Sequence, residues 1–187
     1  MQIIGITGTL GAGKGTVVEY LQTKDFKHYS VRAYLTEILE EKGIEINRKT
    51  MTDLANHLRT EHGPAYVIDQ LYEKAKEYGG KCVIESVRTL GEIDSLREKW
   101  SFLLLAVDAP IETRYDRIIA RKSATDHVSF EQFMADELRE SQSTDPTKGN
   151  LPGCIKKADL LIINNWSIEE LHIQLEEKIF STKENQQ

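Results

Sequence analysis

The sequence predicts an α/β fold: a five-stranded parallel sheet between helices, in three layers. Short β-branched or apolar runs at Ile3–Thr7, Cys82–Glu85, Phe102–Val107 and Leu160–Ile163 alternate with longer stretches of helical period. A glycine-rich turn leads from the first run straight into a helix. Strands separated by helices indicate a parallel sheet covered on both faces.

Taken in order, IIGIT is a buried strand closed by glycine. Lys14 to Thr23 reads as a helix with Val17, Val18 and Leu21 inward. A short element is expected at His28–Ser30. Val31 to Lys42 follows as a helix, with Val31, Tyr34, Leu35, Ile38 and Leu39 on one face and Gly43 as its stop. Met51, Leu54, Ala55 and Leu58 form a second helical stripe. Pro64 opens a third helix, with Val67, Ile68, Leu71, Tyr72 and Ala75 buried and Gly79-Gly80 at its end. These helices form an insertion over about 31–79.

Cys82–Glu85 is the next strand, and a helix with Leu90, Ile93 and Leu96 inward comes after it. FLLLAV, the most apolar run, is placed centrally. Ile111 to Arg121 reads as a helix with Ile111, Tyr115, Ile118 and Ile119 inward. After a polar break, Ser129 starts a helix with Gln132 as capping partner and an apolar face of Phe130, Phe133, Met134 and Leu138. Ser141–Gly153 reads as loop, Leu160–Ile163 as the last strand, and Ser167 with Glu170 as the cap of a helix through Phe180. One domain, 1–180, is expected. Its core is 1–30, 80–121 and 154–180, its lid about 122–153, and a polar tail covers 181–187.

Composition narrows the function classes. The 187 residues are 40% hydrophobic and 29% charged, ordinary for a soluble domain with one core. A net charge of −6 argues against nucleic acid as a partner. No apolar run nears the ~18 residues of a membrane span, and the N-terminus lacks the pattern of a signal peptide. A cytoplasmic protein with no membrane partner is expected. Cys82 and Cys154 have no partner spacing and read as reduced thiols. Among the five histidines no metal spacing occurs, and His62, beside Gly63, is the one of interest.

In a doubly wound sheet, ligands sit at the carboxyl ends of the strands. That rule selects Gly8–Thr16, Glu85–Thr89, Asp108–Pro110 and Asn164–Trp166. The first reads Gly8-Thr9-Leu10-Gly11-Ala12-Gly13-Lys14-Gly15-Thr16 and contains G-x-x-x-x-G-K, between a strand and a helix. Glycines let backbone N–H groups converge on a phosphate. The helix adds its positive end, and Lys14 reaches the β- and γ-phosphates. Where most such loops place a Ser or Thr hydroxyl on Mg²⁺, this one has Gly15, with Thr16 one place later.

Arginines supply the second signal, since a planar fork binds phosphate bidentately. Arg117 and Arg121 are four residues apart and share a helix face. Spacing alone fits either a solvated helix end or an anion site. Arg88 lies just past a strand end, and Arg32, Arg48 and Arg59 lie in the inserted helices. Glu85 and Asp108 are candidate acids at strand ends, and Asp108 also fits a turn before Pro110. Trp166 reads as a core or helix-staple residue as readily as a site residue.

The loop G-x-x-G-x-G-K-G-T, the stretch D-R-I-x-x-R at Asp116–Arg121, and the F-x-x-F-x-x-x-E pattern at Phe130–Glu137 resemble those of nucleoside monophosphate kinases. The resemblance extends through about Phe180 and implies the P-loop kinase fold, in its adenylate-kinase-like or dephospho-coenzyme-A-kinase-like branch. It implies ATP held by Gly8, Leu10, Gly11, Ala12, Gly13, Lys14, Gly15 and Thr16, with Arg117 over the adenine and Asn164 and Asn165 against it. It implies catalytic roles for Lys14, Arg88 and Arg121, and a short lid with no cysteine cluster for zinc. Arg32, Arg59, Glu85, Arg88 and Arg139 are the expected acceptor contacts. Mg²⁺ is expected near Thr16 and Glu85, through water. After Ser30 a small-Gly-Asp segment is expected but Val31-Arg32-Ala33 stands there, which leaves the acceptor open.

Three functions follow as expectations: ATP-dependent phosphorylation of a nucleoside or deoxynucleoside monophosphate, dephospho-coenzyme A kinase, or a nucleotide-binding regulator with little transfer activity. A monomer or weak homo-oligomer is expected.

Overall fold

Five strands, all parallel, run in the order β2-β3-β1-β4-β5. They are β1 (Gln2–Gly8), β2 (Lys27–Ser30), β3 (Lys81–Glu85), β4 (Phe102–Asp108) and β5 (Leu160–Ile163). A computed structural model of the chain describes residues 1–99, 102–121, 129–141 and 148–181. FLLLAV is interior, but β1 holds the middle of the sheet. The expected three-layer α/β/α P-loop kinase fold is the fold observed.

One face is covered by α1 (Lys14–Thr23), α9 (Ile168–Leu175) and the π-helical turn Glu176–Phe180 that continues it. Ile4, Ile6, Val17, Leu21, Leu105, Ile162 and Leu171 share the core there. The opposite face carries α2 (Val31–Glu41), α3 (Arg48–His62), α4 (Tyr66–Tyr78), α5 (Leu90–Lys99) and α8 (Leu151–Lys156), over Ile3, Leu35, Ile68, Ile84, Ile93 and Leu104. The inner strands β1, β3 and β4 are therefore apolar on both faces, as the interior of a parallel sheet requires. Helix α6 (Ile111–Ala120) and helix α7 (Phe130–Ser141) meet through Tyr115, whose ring lies 5.1 Å from Phe130 and 5.8 Å from Phe133.

Four local expectations are corrected. Helix α4 starts at Tyr66, not Pro64. Pro64 instead faces Gly91 of α5, and its carbonyl accepts from the Thr89 hydroxyl at 3.4 Å. Residues 151–153 are not loop but open α8: Asn150 caps it by accepting from the Gly153 amide at 2.9 Å, with proline in the first turn. That helix buries Cys154 in the core, where burial pushes its thiol up to about 12. In α6 the inward pair is Arg114 and Ile118, while Ile119 is 42% exposed. In α7 Phe133 is buried, but Met134 and Leu138 are exposed.

Residues 122–128 and 142–147 of the expected lid, and 182–187 of the tail, lie outside the described residues. Among the described residues no helix is long and apolar enough to cross a membrane. Ile84 is fully buried in β3, between β1 and β2. Ile84→Ala should lower unfolding free energy by about 3 kcal/mol in urea titrations with an unchanged m-value; a loss under about 1 kcal/mol would contradict this packing.

Candidate active site

Strand β1 ends at Gly8, and α1 begins at Lys14. The loop between them is fixed from three sides. A Cβ on Gly8 would collide with the Val107 carbonyl of β4. One on Gly11 would sit 2.5 Å from the Arg114 carbonyl of α6. One on Gly13 would strike the Asn164 side-chain amide. All three glycines also have positive φ, so both space and backbone demand glycine. Gly15 is different: nothing lies within 4 Å of its Cβ position.

Side chains complete the clamp. The Thr9 hydroxyl donates to Asp108 Oδ1 at 2.6 Å. Asn164 donates through Nδ2 to the Ala12 carbonyl at 2.8 Å, and its amide donates to the Asp108 carbonyl at 2.7 Å. The ends of β1, β4 and β5 are thereby locked together. Asn164 is buried and acts as a strut under the loop, whereas Asn165 is exposed.

Lys14 folds its ammonium back over the loop, donating to the Gly8 and Thr9 carbonyls at 3.0 and 2.8 Å. Burial, then the charge of Arg88, lower its pKa to about 8; Glu85 opposes this, and Arg114 and Arg121 add to it. Four cations and one carboxylate thus converge, from β3, the turn after it, α6 and the loop. This places three sequence-expected residues, Arg88, Arg121 and Glu85, around Lys14, and adds Arg114.

Glu85 ends β3, and its Oε2 lies 3.2 Å from His28 Nε2. That bond holds the Glu85 carboxyl below its ordinary range against the opposing effect of burial. After Glu85 the chain turns through Ser86, a non-glycine residue at φ 74°. The amides of Ser86 and Val87 both donate to the Ile6 carbonyl at 3.0 Å. The bend directs Arg88 off the sheet end, and such strain is held by its surroundings at sites of this kind.

Arg59 is not a cleft residue. It is 3% exposed and bonds Glu92 Oε1 through Nε at 3.1 Å and Nη2 at 2.8 Å. Glu92 Oε2 accepts from the Arg88 and Thr89 amides at 2.7 and 3.0 Å, while the Thr89 hydroxyl accepts from the Glu92 amide at 3.1 Å. The pair therefore anchors the turn that carries Arg88. Arg32 is exposed on the first turn of α2, just past the end of β2. The side chains of Arg48 and Arg139 lie outside the described residues.

Arg117 faces a second recess of about 190 Å³, lined also by Gly13, Thr16, Asn164, Trp166 and Ile168. Among the described residues its buried Nη1 has no hydrogen-bond partner. Trp166 is 61% exposed at this mouth, so it is not a core residue. His62 is exposed, and its ring lies 4.4 Å from that of Tyr66.

Sequence reasoning missed Arg114, Glu92 and His28. Arg114 carried a signal: with Arg117 and Arg121 it repeats at three and seven residues, along one helix face. Glu92 carried another, since T-L-G-E is a capping box. His28 carried none, because only strand pairing brings β2 beside β3.

A glycine-rich cradle at the carboxyl edge of this sheet, with its lysine at the start of the following helix, is that of a P-loop protein. The chain belongs to the AAA domain family AAA_18, which matches residues 4–145, and its relatives are UPF0200 proteins. One from Pyrobaculum aerophilum is 29% identical over 94% of this chain and 95% of its own length. Another, from Staphylothermus marinus, is 30% identical over 91% and 87%. Among solved structures, a Thermus thermophilus protein superposes with TM-score 0.63 at 22% identity, covering 100% and 98% of the two chains. Shikimate kinase from Bacteroides thetaiotaomicron superposes with TM-score 0.61 at 13% identity, covering 94% and 97%. These two likenesses establish the fold.

Two predictions follow from this geometry. Glu92→Ala strips Arg59 of its buried partner and two amides of their acceptor, and should destabilise by about 4 kcal/mol in urea; a loss under about 1 kcal/mol would return Arg59 to the list of cleft residues. Lys14 is charged below about pH 8 in the free protein. Polyphosphate favours the ammonium and raises its pKa, so binding takes up a proton above that pH. Nucleotide affinity should be full below pH 8 and fall up to about tenfold per unit above it. Calorimetry in buffers of different ionisation heat checks this, and no proton uptake near pH 9, approximately, would refute it.

Proposed function

We propose that this protein transfers the γ-phosphate of ATP to a nucleoside or deoxynucleoside monophosphate. The observation that carries the reading is the gathering of Lys14, Arg88 and Arg121 about one loop. A single triphosphate is served by the loop amides and Lys14. Further arginines on the β3 side suit a second anion facing the first, because phosphoryl transfer is governed by positioning and charge neutralisation.

In this reading the loop from Gly8 to Thr16 holds the donor phosphates, with the unpartnered Arg117 Nη1 and exposed Trp166 at the base end. Arg88, with Arg32 and Arg139 as further candidates, receives the acceptor phosphate. An acceptor oxygen bonds to the γ-phosphorus as its bond to the bridging oxygen breaks, and ADP keeps that electron pair. Lys14 and Arg121 neutralise the group in flight. Magnesium, if bound, would supply further positive charge to the phosphate chain. The Thr16 hydroxyl and the ionised Glu85 suit it through water; among the described residues no cluster of three His, Cys, Asp or Glu would hold an ion without the phosphates.

The two candidate acids favour a phosphate acceptor over a hydroxyl. Glu85 is held ionised by His28, which makes it a weak proton acceptor. Asp108 Oδ1 is already bonded to the Thr9 hydroxyl and its own turn, through the Ala109 amide at 2.9 Å. An acceptor phosphate is ionised near pH 7 and needs no base.

The test is a screen of ATP against ribo- and deoxynucleoside monophosphates and dephospho-coenzyme A, with products resolved by chromatography. A phosphorylated nucleotide is expected, with Lys14→Met and Arg88→Gln each lowering kcat/KM at least about 100-fold. Glu85→Gln should leave most transfer to a phosphate acceptor. Phosphorylation of dephospho-coenzyme A alone, abolished by Glu85→Gln, would establish the hydroxyl-transfer alternative. Slow hydrolysis with no phosphorylated acceptor would leave a nucleotide-binding regulator.

A further inference from the structure

Arg114 is an arginine that none of this chemistry uses. It is 5% exposed and links three separate parts of the molecule. Its Nε donates to the Ala109 carbonyl at 2.7 Å, fixing it to the end of β4. Its Nη1 points at the Leu10 carbonyl of the phosphate loop, 3.4 Å away. Both terminal nitrogens pair with Glu137 of α7, Nη2 to Oε2 at 2.8 Å. The guanidinium also lies over the Phe133 ring of α7 at 5.7 Å. Below it, the Arg114 carbonyl fills the space where a Cβ on Gly11 would go.

Helix α7 does not close directly on the loop. A cavity of about 410 Å³ separates them, walled by Leu10, Phe133, Leu151, Pro152 and Ile155, and edged by Arg114 and Glu137. The ion pair spans an edge of this space. A guanidinium presents its donors in one rigid plane, so seating the Glu137 carboxylate also sets where Arg114 meets Leu10. If α7 withdrew, Arg114 would lose its bidentate carboxylate and keep only the longer carboxylate contact of its Nε with Asp108 Oδ1 at 3.8 Å, next to the loop and within electrostatic reach of Lys14.

We propose that Arg114 is a positioning residue that couples the seating of α7, through Glu137, to the shape of the phosphate loop. Loop order and α7 docking then form one linked equilibrium. With nucleotide on the loop the linkage is reciprocal: a ligand there steadies α7 to the degree that α7 steadies the loop. This second half rests on the nucleotide reading above; the first half does not.

Hydrogen exchange read by mass spectrometry tests both halves on the full chain. In the empty protein, Glu137→Gln should speed exchange at Leu10–Lys14 about tenfold while β1 and β3 stay unchanged. Arg114→Lys keeps the charge but not the fork, and should show the same loop effect, while a double variant should add little to either single change. In the wild type, ATP should slow exchange in α7 as well as in the loop, and Glu137→Gln should abolish the α7 response alone. Unchanged loop exchange in Glu137→Gln, equal acceleration in β1 and β3, or additive single effects would each overturn the coupling. Failure of the wild type to bind ATP, with the empty-protein effect present, would remove the nucleotide reading and leave the coupling standing.

Discussion

Charge of one sign is concentrated at the carboxyl edge of the sheet, and the surrounding structure is organised to bear it. Lys14 stands among Arg88, Arg114 and Arg121 with Glu85 as the opposing charge, and its pKa is lowered by burial first and by that company second. Like charges in a half-buried setting disfavour the empty state. A phosphate chain would remove that penalty, so the arrangement is preorganised for polyanions: the protein bears the repulsion on folding and the ligand relieves it on binding.

Rigid support is the condition for holding such a cluster. The loop cannot relax away from its cations, because Gly8, Gly11 and Gly13 lie in contact with β4, α6 and Asn164. Asp108 ties Thr9 to the end of β4, and Asn164 ties Ala12 to the end of β5. On the β3 side, Ser86 bends the chain and Glu92 fixes the bend through two amides. Arg59 then neutralises Glu92 in the interior. The buried ion pair acts at the site only through the backbone of Arg88 and Thr89. Removing it would loosen the aim of Arg88 before it touched any ligand.

How much of this was legible in the sequence depends on the range of the interaction. Strands and most helices followed from local period, and the loop from its spacing, since both are properties of neighbouring residues. The capped start of α8 was written in N-L-P but hidden in a stretch rich in turn formers. Ile119 and Arg114 exchanged roles because an apolar pattern cannot foresee a guanidinium satisfied by the Ala109 carbonyl and Glu137. Arg59 looked like a phosphate ligand for the same reason: charge is visible in a sequence, whereas its buried partner thirty-three residues away is not. His28 meets Glu85 only because β2 pairs with β3.

The arginines thus divide by what already satisfies them. Arg59 and Arg114 have carboxylate partners and serve the geometry. Arg117 has a buried nitrogen with no partner and faces a recess. Arg88 and Arg121 act on Lys14 as charge. A guanidinium that is fully bonded inside the protein gains little from a ligand, while one with an unmet donor gains the whole of a charge-assisted bond. On that ground a ligand should gain most from Arg117, while Arg59 and Arg114 set the precision of the site. Those two would then affect binding only by way of the turn and the loop they hold in place.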